Sequence, residues 1–140
     1  MAIISSVLLV DDDAAANFIN QLLLKDVVAS GNLQVVQNGE EALQLINTCI
    51  EEKRALPELI LLDLNMPVMD GFEFLEAYQE LDLQEQQKPV IAVLTTSMNP
   101  KDVNRINELG IVDFINKPLS PKSIHQLIEK RFAERLMGEF

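Results

Sequence analysis

A chain of 140 residues with 48% hydrophobic and 24% charged residues lies in the range of one folded globular domain, which excludes a disordered or fibrous architecture. Its formal net charge of −11 disfavours nucleic acid and anionic membrane surfaces as partners, and no local run of basic residues offsets it. The N-terminal stretch Met-Ala-Ile-Ile-Ser-Ser lacks the positive flank of a secretory signal, and no window approaches the roughly 18 apolar residues of a membrane span, so a cytoplasmic location is expected.

Short apolar runs rich in Val, Ile and Leu alternate with longer segments of helical periodicity, the pattern of βα units around a parallel sheet. Five units fit. The first strand is expected at Ser6 to Val10, and its continuous apolar character predicts cover on both faces. Asp13 then caps a helix from about Ala14 to Lys25, which carries Phe18, Ile19, Leu22 and Leu23 at helical spacing.

Gly31-Asn32 signals a turn before a second strand at Leu33 to Gln37. The Asn38-Gly39 turn leads into a helix with the stripe Ala42, Leu45, Ile46 and Cys49, where the single cysteine is expected to serve core packing. Glu51 to Pro57 reads as a helix end and loop before a third strand, Leu59 to Leu62, with Asp63 at its end. Met66 to Gly71 forms a tight loop, because its proline and glycine prevent either element from continuing. A third helix follows from Phe72 to about Leu81.

After the polar Leu83 to Lys88 stretch, the β-branched and uncharged segment Val90 to Thr95 predicts a buried fourth strand. Asn99-Pro100 opens a fourth helix whose inner side carries Val103, Ile106 and Leu109, and Gly110 ends it. A fifth strand at Val112 to Ile115 runs into Asn116-Lys117-Pro118. Ser120-Pro121 then starts a last helix bearing Ile124, Leu127, Ile128 and Phe132. One domain over residues 1–140 is expected, with no attached output domain.

In an open parallel sheet, ligands bind outside the carboxyl ends of the strands. Asp11 and Asp12 follow the first strand, Asp63 ends the third, Thr95 the fourth, and Lys117 follows the fifth. Carboxylates gathered on one rim repel one another unless a cation intervenes, and hard oxygen ligands suit Mg²⁺. A carboxylate such as Asp63 can attack phosphorus when the charge on the transferring group is offset, and Lys117 and Thr95 could contact phosphoryl oxygens. Each residue alone has a plainer reading: a solvated turn for Asp11 to Asp13, a strand-end turn residue for Asp63, a surface lysine and a buried strand threonine. Their joint placement on one rim is what points to phosphoryl chemistry.

Val10-Asp11-Asp12, then Asp63-Leu64-Asn65-Met66-Pro67-Val68-Met69-Asp70-Gly71, then Leu94-Thr95, then Lys117-Pro118, together resemble the receiver domain of bacterial response regulators. The resemblance spans nearly the whole chain. It implies a flavodoxin-like (βα)5 doubly wound α/β fold with strand order 2-1-3-4-5, and phosphorylation of Asp63 by a histidine kinase or phosphotransfer protein. It further implies that Asp12 binds Mg²⁺ directly, Asp11 through water, and Asn65 through its backbone carbonyl. Thr95 and Lys117 would contact the phosphoryl group, and the Lys117-Pro118 bond would be cis, an isomer that proline permits.

By the same resemblance, Phe114 stands where receivers often carry an aromatic residue that changes rotamer as the threonine moves; an ordinary buried Phe is the alternative. Asn65 and Ser97 lie where family members tune the lifetime of the phosphoaspartate. The long Glu51 to Pro57 and Leu81 to Lys88 segments are similar to those of stand-alone receivers serving phytochrome-like or hybrid kinases.

The expected function is that of a phosphoacceptor in a His-to-Asp relay, not a conventional enzyme. Phosphorylation adds about −1.5 to −2 charges at Asp63. It would draw Thr95 and Lys117 inward and alter the face of the fourth helix, fifth strand and fifth helix, which a downstream protein would read. A homodimer is compatible with this. An aspartyl-phosphate-forming phosphatase is the rival, weakened because Asn65 occupies the position where such enzymes carry a second acid; a binding-only pseudo-receiver is the other. His125, in the last helix, is expected to be a surface residue away from the rim.

Overall fold

The computed structural model describes residues 3–84, 87–96 and 99–134. Ten elements alternate along the chain: β1 (Val7–Val10), α1 (Ala14–Leu24), β2 (Leu33–Val36), α2 (Gly39–Glu51), β3 (Leu59–Asp63), α3 (Gly71–Gln79), β4 (Val90–Thr95), α4 (Pro100–Glu108), β5 (Asp113–Asn116) and α5 (Pro121–Arg131). The strands form one sheet in the order β2-β1-β3-β4-β5, and every adjacent pair is parallel. This is the doubly wound topology expected of the sequence.

Successive strand residues point to opposite faces, so each apolar run feeds two cores. Val7, Leu9, Leu59, Leu61, Ala92 and Leu94 pack beneath Leu24 of α1 and Ile124, Leu127 and Ile128 of α5. Leu8, Val10, Ile60, Leu62, Ile91 and Val93 face the other way, against Ala42 and Ile46 of α2, Phe74 and Leu75 of α3, and Ile106 of α4. Burial on both sides explains why these strands show no apolar-polar alternation. Cys49 is buried on α2, as its place on the apolar stripe of that helix predicts.

Helix starts follow the capping signals. Asp13 accepts hydrogen bonds from Ala15 N and Ala16 N, and Ser120 accepts from Ser123 N ahead of Pro121. Asp70 and Glu73 form a capping box at α3, which starts at Gly71 and ends at Gln79, so it is shifted and shorter than the expected span. Asn38-Gly39 is no separate turn: the Asn38 side chain accepts from Glu41 N, and Gly39 opens α2. A Cβ on Gly39 would lie 2.9 Å from both Met69 Cγ and Phe74 Cβ, so the loop before α3 can press against α2 only where the side chain is absent. Gly110, at φ +85°, ends α4 as expected.

Two further expectations are corrected. β5 runs one residue later than Val112 to Ile115, because its register pairs Ala92 with Asp113 and Thr95 with Asn116; Val112 lies outside the strand and is exposed. The larger correction concerns α1. Phe18, Ile19 and Leu22 are 65%, 52% and 57% exposed, while Asn17, Asn20 and Leu24 are buried. The helix is thus turned with two amides inward and an apolar stripe outward. Among the described residues, no helix is long and apolar enough to cross a membrane.

Candidate functional site

Register brings the expected rim together. Val10 pairs with Leu62, so Asp11 follows at the level of Asp63, and Asp63 itself pairs with Leu94. Thr95 pairs with Asn116, and Lys117 N donates to the Thr95 carbonyl at 2.9 Å. Carboxylates from β1 and β3 therefore meet a hydroxyl from β4 and an ammonium from the end of β5 at one sheet edge.

Asp11, Asp12 and Asp63 each offer a carboxylate oxygen, and these oxygens all lie within 4.8 Å of one another. Asp11 and Asp63 are buried, whereas Asp12 is exposed. Lys117 Nζ stands 2.9 Å from Asp11 Oδ2 and 3.1 Å from Asp63 Oδ1. Burial pushes the Asp63 carboxyl above its ordinary value, and the charge of Asp11 adds to the rise; the Lys117 ammonium and the Leu64 backbone only partly offset it. Burial alone would lower the Lys117 ammonium, but its hydrogen bond to Asp11 and the charges of Asp63 and Asp11 outweigh burial and raise it.

Asp11 is held at every polar atom. Its N–H donates to the Val36 carbonyl at 3.1 Å, and its Oδ1 accepts from Asp13 N at 3.0 Å. Its carbonyl accepts from Asn17 Nδ2 at 2.9 Å, and its Oδ2 accepts from Lys117. Asp12 has no such ties among the described residues. This carboxylate set matches what a hard divalent cation requires: oxygen donors, excess negative charge, and a buried acid whose ionisation is disfavoured without a counter-charge.

The loop after Asp63 is held close by Gly71, whose N–H donates to the Leu64 carbonyl at 3.0 Å. A Cβ there would fall 2.6 Å from Asp63 O and 2.9 Å from Leu64 Cα, both backbone atoms. Val68, at φ 69°, occupies the left-handed region that a β-branched residue disfavours, so the same loop carries local strain. Asn65 is exposed two residues beyond Asp63. Thr95 is buried at the end of β4, and Phe114 is half-buried on β5 against the α2, α3 and α4 side of the core. The Lys117-Pro118 peptide is cis. Ser97 lies outside the described residues. His125 is exposed on α5 and pairs with Glu129 at 2.6 Å, away from the rim.

The response regulator receiver domain family matches residues 7–129. The chain belongs to that family. The receiver is 32% identical over 127 residues to the two-component response regulator ORR1 of Oryza sativa subsp. japonica, covering 89% of the chain and 54% of that protein. It is 34% identical over 138 residues to hybrid signal transduction histidine kinase B of Dictyostelium discoideum, covering 91% of the chain and 7% of the kinase. The receiver thus spans about half the length, or less, of these curated relatives. A two-component response regulator structure from Cytophaga hutchinsonii superposes with a TM-score of 0.78 at 28% identity, covering 91% of this chain and 96% of that one. Receivers are phosphorelay modules rather than conventional enzymes, and the acidic cluster of this one is consistent with their phosphorylation and metal site.

Three side-chain ties, the first at the site and the other two elsewhere in the fold, were not anticipated from sequence. Asn17 reaches back to Asp11 from inside α1. Asp113, buried at the start of β5, accepts from Lys130 and Arg131 of α5, both at 2.8 Å. Arg105 of α4 lies 4.2 Å from the Phe72 ring centroid and 2.7 Å from Glu76, tying α4 to α3. For Asn17 the available signal was a polar residue at a helical position with apolar neighbours, and it does not name a partner.

Proposed function

We propose that the receiver accepts a phosphoryl group on Asp63 from a histidine kinase or phosphotransfer protein, with Mg²⁺ held by Asp12, Asp63 and the Asn65 carbonyl and reached by Asp11 through water. The observation that carries this reading is the position of Lys117 Nζ, within hydrogen-bonding distance of both Asp11 and Asp63 at the end of a strand other than theirs. Bound Mg²⁺ supplies charge neutralisation to the carboxylates and to the phosphoryl oxygens.

The Asp63 carboxylate forms the new bond to phosphorus as the phosphorus–nitrogen bond of a phosphohistidine breaks, and the electron pair returns to the donor's imidazole. Lys117 keeps its proton, favoured by the two carboxylates, and turns its ammonium toward the incoming phosphoryl oxygens. Thr95 donates a hydroxyl hydrogen bond to a further oxygen.

Its kinship with a hybrid histidine kinase supports a histidine donor. The exposed Phe18, Ile19 and Leu22 lie on the helix capped by Asp13, beside the rim, and support donor docking there by offering apolar footing near the acceptor. Output is assigned to the face of α4, β5 and α5, because β5 carries Phe114 and leads to Lys117. That face would bind a downstream protein or a second copy of the receiver.

Incubation with Mg²⁺ and a small phosphodonor is expected to add one phosphoryl group, read by intact mass, and Asp63→Asn to add none. Labelling that persists in the variant would overturn the assignment.

A further inference from the structure

The inward face of α1 carries Asn17 where an aliphatic residue would bury more apolar surface, as Leu24 does on the same face. Asn17 is 6% exposed, and its Oδ1 is buried without a hydrogen-bond partner among the described residues. A buried polar atom left unpaired works against stability, so packing does not account for this side chain. What the amide does accomplish is one bond: Nδ2 donates to the Asp11 carbonyl, six residues back across the strand-to-helix turn.

We infer that Asn17 is a positioning residue of the phosphoacceptor site, locking the Asp11 carbonyl and thereby the peptide plane that presents Asp12 to the metal. The inference rests on the proposed Mg²⁺-dependent phosphorylation of Asp63. The peptide bond is planar, so holding the oxygen of Asp11 orients the plane that ends at the Cα of Asp12. Asp12 is exposed, and no hydrogen bond holds its carboxylate among the described residues. The direction of that carboxylate depends on the backbone beneath it. The other three ties of Asp11 come from the Val36 carbonyl, the Asp13 N–H and Lys117, which belong to the sheet edge or to the rim. Among the described residues, the Asn17 amide is the one side chain outside the rim that hydrogen-bonds Asp11.

The test compares wild type with Asn17→Leu and with Asn20→Leu, which replaces the other buried amide of α1. Mg²⁺ affinity is measured by calorimetry without phosphodonor, thermal unfolding without Mg²⁺, and phosphorylation with a small phosphodonor at several Mg²⁺ concentrations. Asn17→Leu is expected to keep a cooperative melting transition while its Mg²⁺ Kd rises about tenfold, the size of effect typical of residues that orient metal ligands. Phosphorylation should slow at limiting Mg²⁺ and recover at saturating Mg²⁺. Asn20→Leu should bind Mg²⁺ like wild type. If Asn17→Leu does not fold, Asn17→Ala carries the same expectation. A wild-type Mg²⁺ Kd in the folded variant, with or without a lower melting temperature, overturns the inference, as does an equal rise in Asn20→Leu. Wild type that neither binds Mg²⁺ nor takes up phosphate overturns the underlying function and the inference with it.

Discussion

Lys117 Nζ lies 2.9 Å from Asp11 Oδ2 and 3.1 Å from Asp63 Oδ1, so one ammonium bridges carboxylates at the ends of two neighbouring strands. Lys117→Gln keeps much of the length but removes the charge that offsets negative charge on a transferring group. Phosphorylation of Lys117→Gln by a small phosphodonor is expected to slow by roughly 100-fold or more, the range seen when a preorganised charge-stabilising donor is lost. A rate within threefold of wild type would exclude a role for the ammonium in the transfer.

The raised Asp63 carboxyl has a defined consequence for stability. Its folded-state value lies above the ordinary 3.8, so the folded protein binds this proton more tightly than the unfolded chain. Stability from this group is therefore fully present below about 3.8 and is lost as pH rises through the folded value. Asp63→Asn removes that loss. Without Mg²⁺, the variant is expected to melt above wild type at neutral pH, by roughly 2–6 °C if the gain is about 1 kcal/mol. The difference should shrink on acidification toward the ordinary carboxyl value and on addition of Mg²⁺ to wild type. Lys117 has the same sign of dependence in a higher window: its contribution is present below 10.5 and is lost as pH rises through its raised folded value.

Gly71 lies against backbone, and backbone cannot rotate away as a side chain can. A Cβ would come within 2.6 Å of Asp63 O. Gly71→Ala is expected to lower stability by about 1–3 kcal/mol, the usual effect of overpacking, in chemical denaturation. Because the displaced atom belongs to Asp63 itself, phosphorylation should slow even at a temperature where the variant is fully folded.

The outward apolar stripe of α1 yields a prediction that separates docking from chemistry. Phe18→Glu is expected to reduce transfer from a phosphorylated histidine protein about tenfold, equivalent to 1.4 kcal/mol of binding. Transfer from a small phosphodonor should be unchanged, because Phe18 is exposed to solvent and is not among the rim residues. Equal slowing with both donors would mean that the substitution disturbs the site rather than the docking surface.

Much of this protein was legible from residue order alone. Continuous apolar strands, capping residues and strand-end acids locate all five βα units, and the inner stripe of α5, Ile124, Leu127, Ile128 and Phe132, is buried as its spacing predicts. The rim positions Asp11, Asp12, Asp63, Thr95 and Lys117 also follow, because strand ends are local features and a parallel sheet aligns them. The phase of α1 does not follow. Periodicity marks a helix but leaves open which side faces the sheet, and here the Asp13 cap and the Asn17 bond to Asp11 turn the amides inward and Phe18, Ile19 and Leu22 outward. The pairing of Lys117 with Asp11, 106 residues apart, and of Asp113 with Lys130 and Arg131 was likewise decided by tertiary structure. Propensity acts along the chain over a few residues, whereas these contacts depend on strand register and on how helices pack across it.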